Sequence, residues 1–132
     1  MNKIVARYLD GRVLKGQTND FFPGKATFHM NLLDAPPGTK PVEVQLKDLK
    51  AVFFVKDFLG NPGRHPRQDF DTARPAAGRK IKVAFKDNEI IVGTTQGYQP
   101  DRPGFFIIPA DPQSNNERCY IIREPTRQIE ML

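Results

Sequence analysis

Apolar and polar residues along this chain gather in short alternating runs, each too brief for a helix of ordinary length. Ile4 to Leu9 is rich in β-branched and aromatic residues, Asp10-Gly11 interrupts, and Arg12 to Thr18 resumes the pattern. Asp-Gly between two such runs predicts a hairpin, with both turn residues accepting positive φ. Gly16 falls inside the second run, where a glycine marks a bend or bulge. Third, fourth and fifth strands are expected at about Thr27–Leu32, Val42–Leu46 and Ala51–Val55. A helical period is hard to find anywhere.

The whole pattern returns 77 positions later. Lys3-Ile4 recurs as Lys80-Ile81, Tyr8 as Phe85, Asp10 as Asp87, Gly16 as Gly93, Thr18 as Thr95 and Pro23 as Pro100. Val44 likewise maps to Ile121 and Val52 to Ile129. A constant offset that aligns turn residues and apolar residues together predicts two copies of one small unit. The expected fold is therefore all-β, with two tandem five-stranded SH3-like or Sm-like small barrels. Residues 1–55 form the first, 80–132 the second, and 56–79 an irregular connector holding Gly60, Pro62, Gly63, Pro66, Pro75 and Gly78. Phe58, Leu59 and Phe70 are expected to pin that connector to the barrels.

Composition narrows the class without naming a ligand. A chain of 132 residues makes one ordinary domain or two minimal ones. Each unit alone is marginal, so the two should pack on each other or on the connector. No apolar run approaches the ~20 residues that span a bilayer. Met1 to Arg7 soon meets charge and lacks the apolar stretch of a secretory signal. Cys119 is the single cysteine, which points to a reducing cytoplasm and excludes a disulfide framework. A net charge of +5 suits an anionic partner without demanding one.

Several stretches resemble known families. Asp10-Gly11-Arg12-Val13-Leu14-Lys15-Gly16 and Met30-Asn31-Leu32-Leu33-Asp34 resemble motifs of Sm-like RNA-binding proteins, although the Arg-Gly pair of that family's second motif is missing. The resemblance implies RNA as a ligand and assembly into rings, with the duplication already satisfying one barrel-to-barrel contact. Arg64-His65-Pro66-Arg67 and Asn19–Gly24 resemble the two motifs of PilZ-type receptors for cyclic dinucleotides, but the arginine spacing is one residue short and Phe21 or Phe22 stands where serine would be. Most of the chain resembles a family of small bacterial proteins of unknown function. Ala6-Arg7-Tyr8-Leu9-Asp10-Gly11-Arg12, Asn19-Asp20-Phe21-Phe22-Pro23 and Leu49-Lys50-Ala51-Val52-Phe53-Phe54-Val55 carry that resemblance.

The loops after the second strand of each unit hold the candidate chemistry. Asn19 to Lys25 and Gln96 to Arg102 align, each with an aromatic, a proline and a cation. Aromatics beside cations suit base stacking or the docking of a proline-rich peptide. Lys25, Arg64, Arg67 and Arg102 are the expected phosphate contacts, with Phe21 and Tyr98 as stacking platforms. The competing expectation is that Phe21 or Phe22 folds back to plug the first barrel. No cofactor or metal is expected, because His29 and His65 lack ligand spacing. Asp69 and Asp71 lack the surroundings that acid–base work requires, and Cys119 reads as a core thiol. The chain is thus expected to be a non-enzymatic binding module for RNA or a nucleotide. A protein–protein adaptor and a PilZ-like receptor are the alternatives.

Overall fold

Ten strands follow one another in a computed structural model that describes residues 1–58, 78–99, 101–110 and 115–132. In the first half β1 (Asn2–Tyr8), β2 (Val13–Thr18), β3 (Thr27–Leu32) and β4 (Val42–Gln45) lead through a single 3-10 turn, Leu46–Asp48, to β5 (Leu49–Val55). The second half holds β6 (Arg79–Phe85), β7 (Ile90–Thr95), β8 (Gly104–Pro109), β9 (Asn116–Ile122) and β10 (Thr126–Met131). The protein is all-β, with no α-helix among the described residues. None of its described helices is long and apolar enough to cross a membrane. Most of the connector, including Arg64, Arg67, Leu59 and Phe70, lies outside the described residues, whereas Phe58 is half-buried against the second core.

The first hairpin differs in detail from the two-residue turn expected. Gly11 N–H donates to the Tyr8 carbonyl at 3.1 Å and Tyr8 N–H to the Arg12 carbonyl at 2.9 Å. Gly11 sits at φ +94, while Asp10 is not among the positive-φ residues. This is a three-residue loop, a turn closed by one left-handed residue. Asn88, at φ 73, takes the place of Gly11 in the second half. Asp10 instead anchors the loop, accepting from the backbone and side chain of Arg12 at 3.0 and 2.8 Å.

Strand pairings recur at the same offset as the sequence. Ile4 faces Gly16 as Ile81 faces Gly93, Gly16 faces Leu32 as Gly93 faces Pro109, and Ile4 faces Phe54 as Ile81 faces Met131. The two halves are nevertheless not separate sheets. All ten strands form one sheet in the order β10-β6-β7-β8-β9-β5-β1-β2-β3-β4, open at both ends rather than closed into barrels. The seam is the antiparallel pair β5·β9, which sets Val52 opposite Tyr120 and Phe53 opposite Cys119. Gly16 and Gly93 allow the next strand to cross close by. A Cβ at Gly16 would lie 2.3 Å from the Asn31 carbonyl oxygen, and one at Gly93 only 2.1 Å from that of Ile108.

Residues 51–55 of β5 and 119–122 of β9 are buried on both faces, which explains why these stretches are apolar without alternation. Val52 and Phe54 of β5, with Tyr120 and Ile122 of β9, join a first core built around Ile4, Phe28 and Met30. Ala51, Phe53, Val55, Cys119 and Ile121 point the other way, into a second core around Ile81, Phe85 and Ile107. Each such ring or branched side chain contributes roughly 1.5–3 kcal/mol on full burial. The free edges are built differently. Gln128 and Glu130 of β10 occupy the positions of Ala51 and Phe53, and Glu43 and Gln45 of β4 those of Tyr120 and Ile122; all four are exposed. A buried lysine also crosses the seam. Lys50 Nζ meets Asp87 at 2.7 Å and Glu89 at shorter range, and lies 4.6 Å from the centre of the Phe85 ring.

Candidate functional site

The loop after β2 folds inward. Phe21 meets Phe28, Phe54 and Tyr120 edge-on at centroid distances of 5.1, 5.4 and 5.3 Å, and packs against the first core. It is a plug, not the stacking platform expected, because the rings of Phe28, Phe54, Phe106 and Tyr120 surround a position that loop geometry turns towards them. Phe22 is the exposed ring, 53% accessible, and carries the Lys25 ammonium 5.1 Å from its centre. Tyr98 also departs from expectation: it is half-buried, edge-on to Phe105 at 4.9 Å and packed against the second core. Both rings expected to offer stacking platforms therefore pack against the cores instead.

A polar network holds the first loop in this shape. Thr18 Oγ1 donates to Asp20 Oδ1 at 3.0 Å and the His29 backbone N–H donates to the same oxygen at 2.9 Å. His29 Nδ1 lies 2.7 Å from Asp20 Oδ2. The His29 backbone N–H, then its ring and the Thr18 hydroxyl, hold the Asp20 carboxyl below its ordinary range. The described residues of the second half do not repeat this, since Gly97 stands in the place of Asp20 and Phe106 in that of His29. Thr95, the counterpart of Thr18, is 3% exposed, and its hydroxyl has no hydrogen-bond partner among the described residues.

Between the loop after β2 and the loop after β7 lies a cleft of about 730 Å³. Pro23 and Gly24 form one wall; Gln96, Gly97, Gln99 and Arg102 form the other. Phe106 and Tyr120 line it from β8 and β9, and Tyr120 also lines an adjoining cavity of about 300 Å³ that Lys25 and Lys47 border. Arg102 is exposed and partly fixed, its Nε donating to Gln99 Oε1 at 3.0 Å. Burial raises the Tyr120 hydroxyl above its ordinary pKa, an effect the nearby Arg102 charge opposes.

Of the six candidates, then, Lys25 and Arg102 border contiguous cavities, Phe21 and Tyr98 pack into cores, and Arg64 and Arg67 lie outside the described residues. Sequence reasoning missed Tyr120, Phe106 and Gly97. The 77-residue offset could have flagged Gly97, because it breaks the echo at an acid. Elsewhere, a cavity of about 380 Å³ lies beside Lys50, whose charge Asp87 and Glu89 already meet. Hydrogen bonding from Lys50, chiefly, holds the Asp87 carboxyl low. Burial pushes the Cys119 thiol up to about 12, which leaves it unreactive at neutral pH. Among the described residues no group of three His, Cys, Asp or Glu could hold a metal ion.

Compared with known proteins, residues 1–132 match the family described as Family of unknown function (DUF6982). No curated protein and no solved structure matches the chain.

Proposed function

The chain belongs to DUF6982, a family of unknown function, and from that premise we propose a non-enzymatic module that binds an anionic ligand, RNA or a nucleotide, in the cleft between its two paired loops. The observation that carries this reading is the cleft itself, in which the Arg102 guanidinium, held on one side by Gln99, meets neutral amides and aromatic edges. Gln96, Gln99 and Thr94 offer donors and acceptors to a base, Phe106 and Tyr120 offer apolar wall, and Arg102 offers charge. Lys25 and Lys47 beside the smaller cavity extend that charge along the groove. The repeated pairings also support reading each run of five strands as a small SH3-like or Sm-like unit, with the cleft at their junction. Such a module suits a reducing cytoplasm, where the buried Cys119 stays a thiol.

Anisotropy of labelled AMP and of a labelled oligouridylate, each titrated with the full chain, tests this. Binding should weaken steeply with salt, and changing Arg102, Lys25 and Lys47 together to Gln should weaken it at least ~10-fold and flatten the salt slope. Unchanged affinity and slope in that folded variant would overturn the reading. Binding of an apolar peptide, indifferent to salt, is the outcome that favours the adaptor alternative; the exposed Phe22 ring is what supports it.

A further inference from the structure

Each half presents a cation from the same turn. Lys25 N–H donates to the Phe22 carbonyl at 3.0 Å, and at the equivalent positions of the second half Arg102 N–H donates to the Gln99 carbonyl at 3.1 Å. In both turns the residue that accepts this bond also steadies the side chain of the cation. The Phe22 ring lies 5.1 Å from the Lys25 ammonium, and Gln99 Oε1 accepts from Arg102 Nε at 3.0 Å. Neither of those partners is an acid, and among the described residues no acid pairs with Lys25 or Arg102.

The two cations border one groove. Arg102 lines the cavity of about 730 Å³ and Lys25, with Lys47, the one of about 300 Å³. Pro23, Gly24, Pro103 and Tyr120 line both, so an apolar stretch joins two charged ends. Among the described residues no acid lines either cavity. By contrast, Asp87 and Glu124 line the cavity beside Lys50, and Glu117 lines one beside Lys3. Each part of the groove lies within the ~300–1,000 Å³ usual for a ligand pocket. A ligand with one phosphate would fill the part at Arg102 and leave the charge of Lys25 and Lys47 unmet.

We propose that the groove binds a single-stranded oligonucleotide through at least two of its phosphates, one met by Arg102 and another by Lys25 and Lys47. This rests on the cleft reading and names the form of the nucleotide. Charge and apolar surface alternate along the groove as phosphate and nucleoside alternate along a strand, and a groove that tracks the backbone in this way needs no base-specific contact. A base seated in the larger cavity must be unpaired, which excludes a duplex. The duplication supplies the match: one turn, present twice, sets a cation at each end.

The test titrates the full chain, over a range of salt, against labelled AMP, labelled ATP and a labelled tetrauridylate with a 5′ phosphate, read by anisotropy. The tetranucleotide should bind at least ~10-fold tighter than AMP, with a salt slope steeper by about 0.7 for each added phosphate contact. ATP, whose phosphates are adjacent, should gain less. Changing Lys25 and Lys47 together to Gln should cost the tetranucleotide at least ~10-fold more than it costs AMP, whereas Arg102→Gln should weaken both ligands alike. Both lysines are exposed, so the double variant should keep its fold, checked by circular dichroism. A tetranucleotide that binds no tighter than AMP, equal losses for the two ligands in the double variant, or ATP matching the tetranucleotide would each overturn the strand and leave the cleft reading standing. If neither AMP nor the tetranucleotide binds, both fail.

Discussion

Residues 19–26 and 96–103 leave equivalent strands, yet an aspartate ties the first loop to the neighbouring strand and, among the described residues, no acid does so for the second. Asp20 closes the first on Thr18 and His29, and Phe21 seals it with a ring inserted among Phe28, Phe54 and Tyr120. The second has glycine for the acid and a tyrosine that reaches only Phe105 and the margin of its core. Under the proposed function, the loop without the anchoring acid is the one left to meet the base of a ligand.

The largest effect should come from removing the plug. Phe21→Ala should cost ~3 kcal/mol in chemical denaturation, against ~1–2 kcal/mol for Tyr98→Ala, because the first leaves a cavity among rings and the second a shallow gap. Equal losses would erase the contrast between the loops. The threonines should differ in sign. Thr18→Val strands the Asp20 carboxylate short of one donor and should cost ~1 kcal/mol, while Thr95→Val removes an unmet hydroxyl and should leave stability unchanged or raise it by up to ~1 kcal/mol. Destabilisation by both would mean that Thr95 has a partner after all.

Acid should find the first loop before the second. Asp20 has a folded pKa below its ordinary 3.8, so its contribution is whole above pH ~4 and is lost as pH falls through the folded value. Asp87 behaves likewise through Lys50 at the seam. Asp20→Asn and Lys50→Met should each flatten the acid limb of a stability–pH curve, whereas no carboxylate of the second loop sits in the equivalent place. An acid limb identical in Asp20→Asn would remove the aspartate from the comparison. The smallest effect concerns the seam. Cys119 should resist iodoacetamide at pH 8 in the native chain and react only on unfolding, read by mass spectrometry.

The strands were legible because β-branched and aromatic runs bounded by Asp-Gly, Asp-Asn and proline leave few other structures open. Their single sheet was not. The runs Ala51–Val55 and Cys119–Ile122 lack polar alternation, which is the mark of burial on both faces, but a pattern of one strand does not say which other strand covers it. The choice between Phe21 and Phe22 was equally closed to sequence reading, since both are large and adjacent. It is decided by the Asp20 anchor, which turns one ring in and leaves the other out. Lys25 and Arg102 could be found from their place in the echo; Tyr120 could not, because its strand belongs to one half and its ring packs into the core of the other.

The shared seam also governs how the chain can be made. When synthesis passes Val55, the strip of Ala51, Phe53 and Val55 has no cover, because its cover is a core that the later half builds. At about 5–20 residues per second, the ribosome needs several seconds to deliver β9, and the nascent first half must stay unaggregated meanwhile. The acids at Glu43 and Glu130, on the outer strands, keep the finished product from offering another such strip to its neighbours. Exposure is thereby confined to one brief interval of translation, after which the array is terminated at both ends.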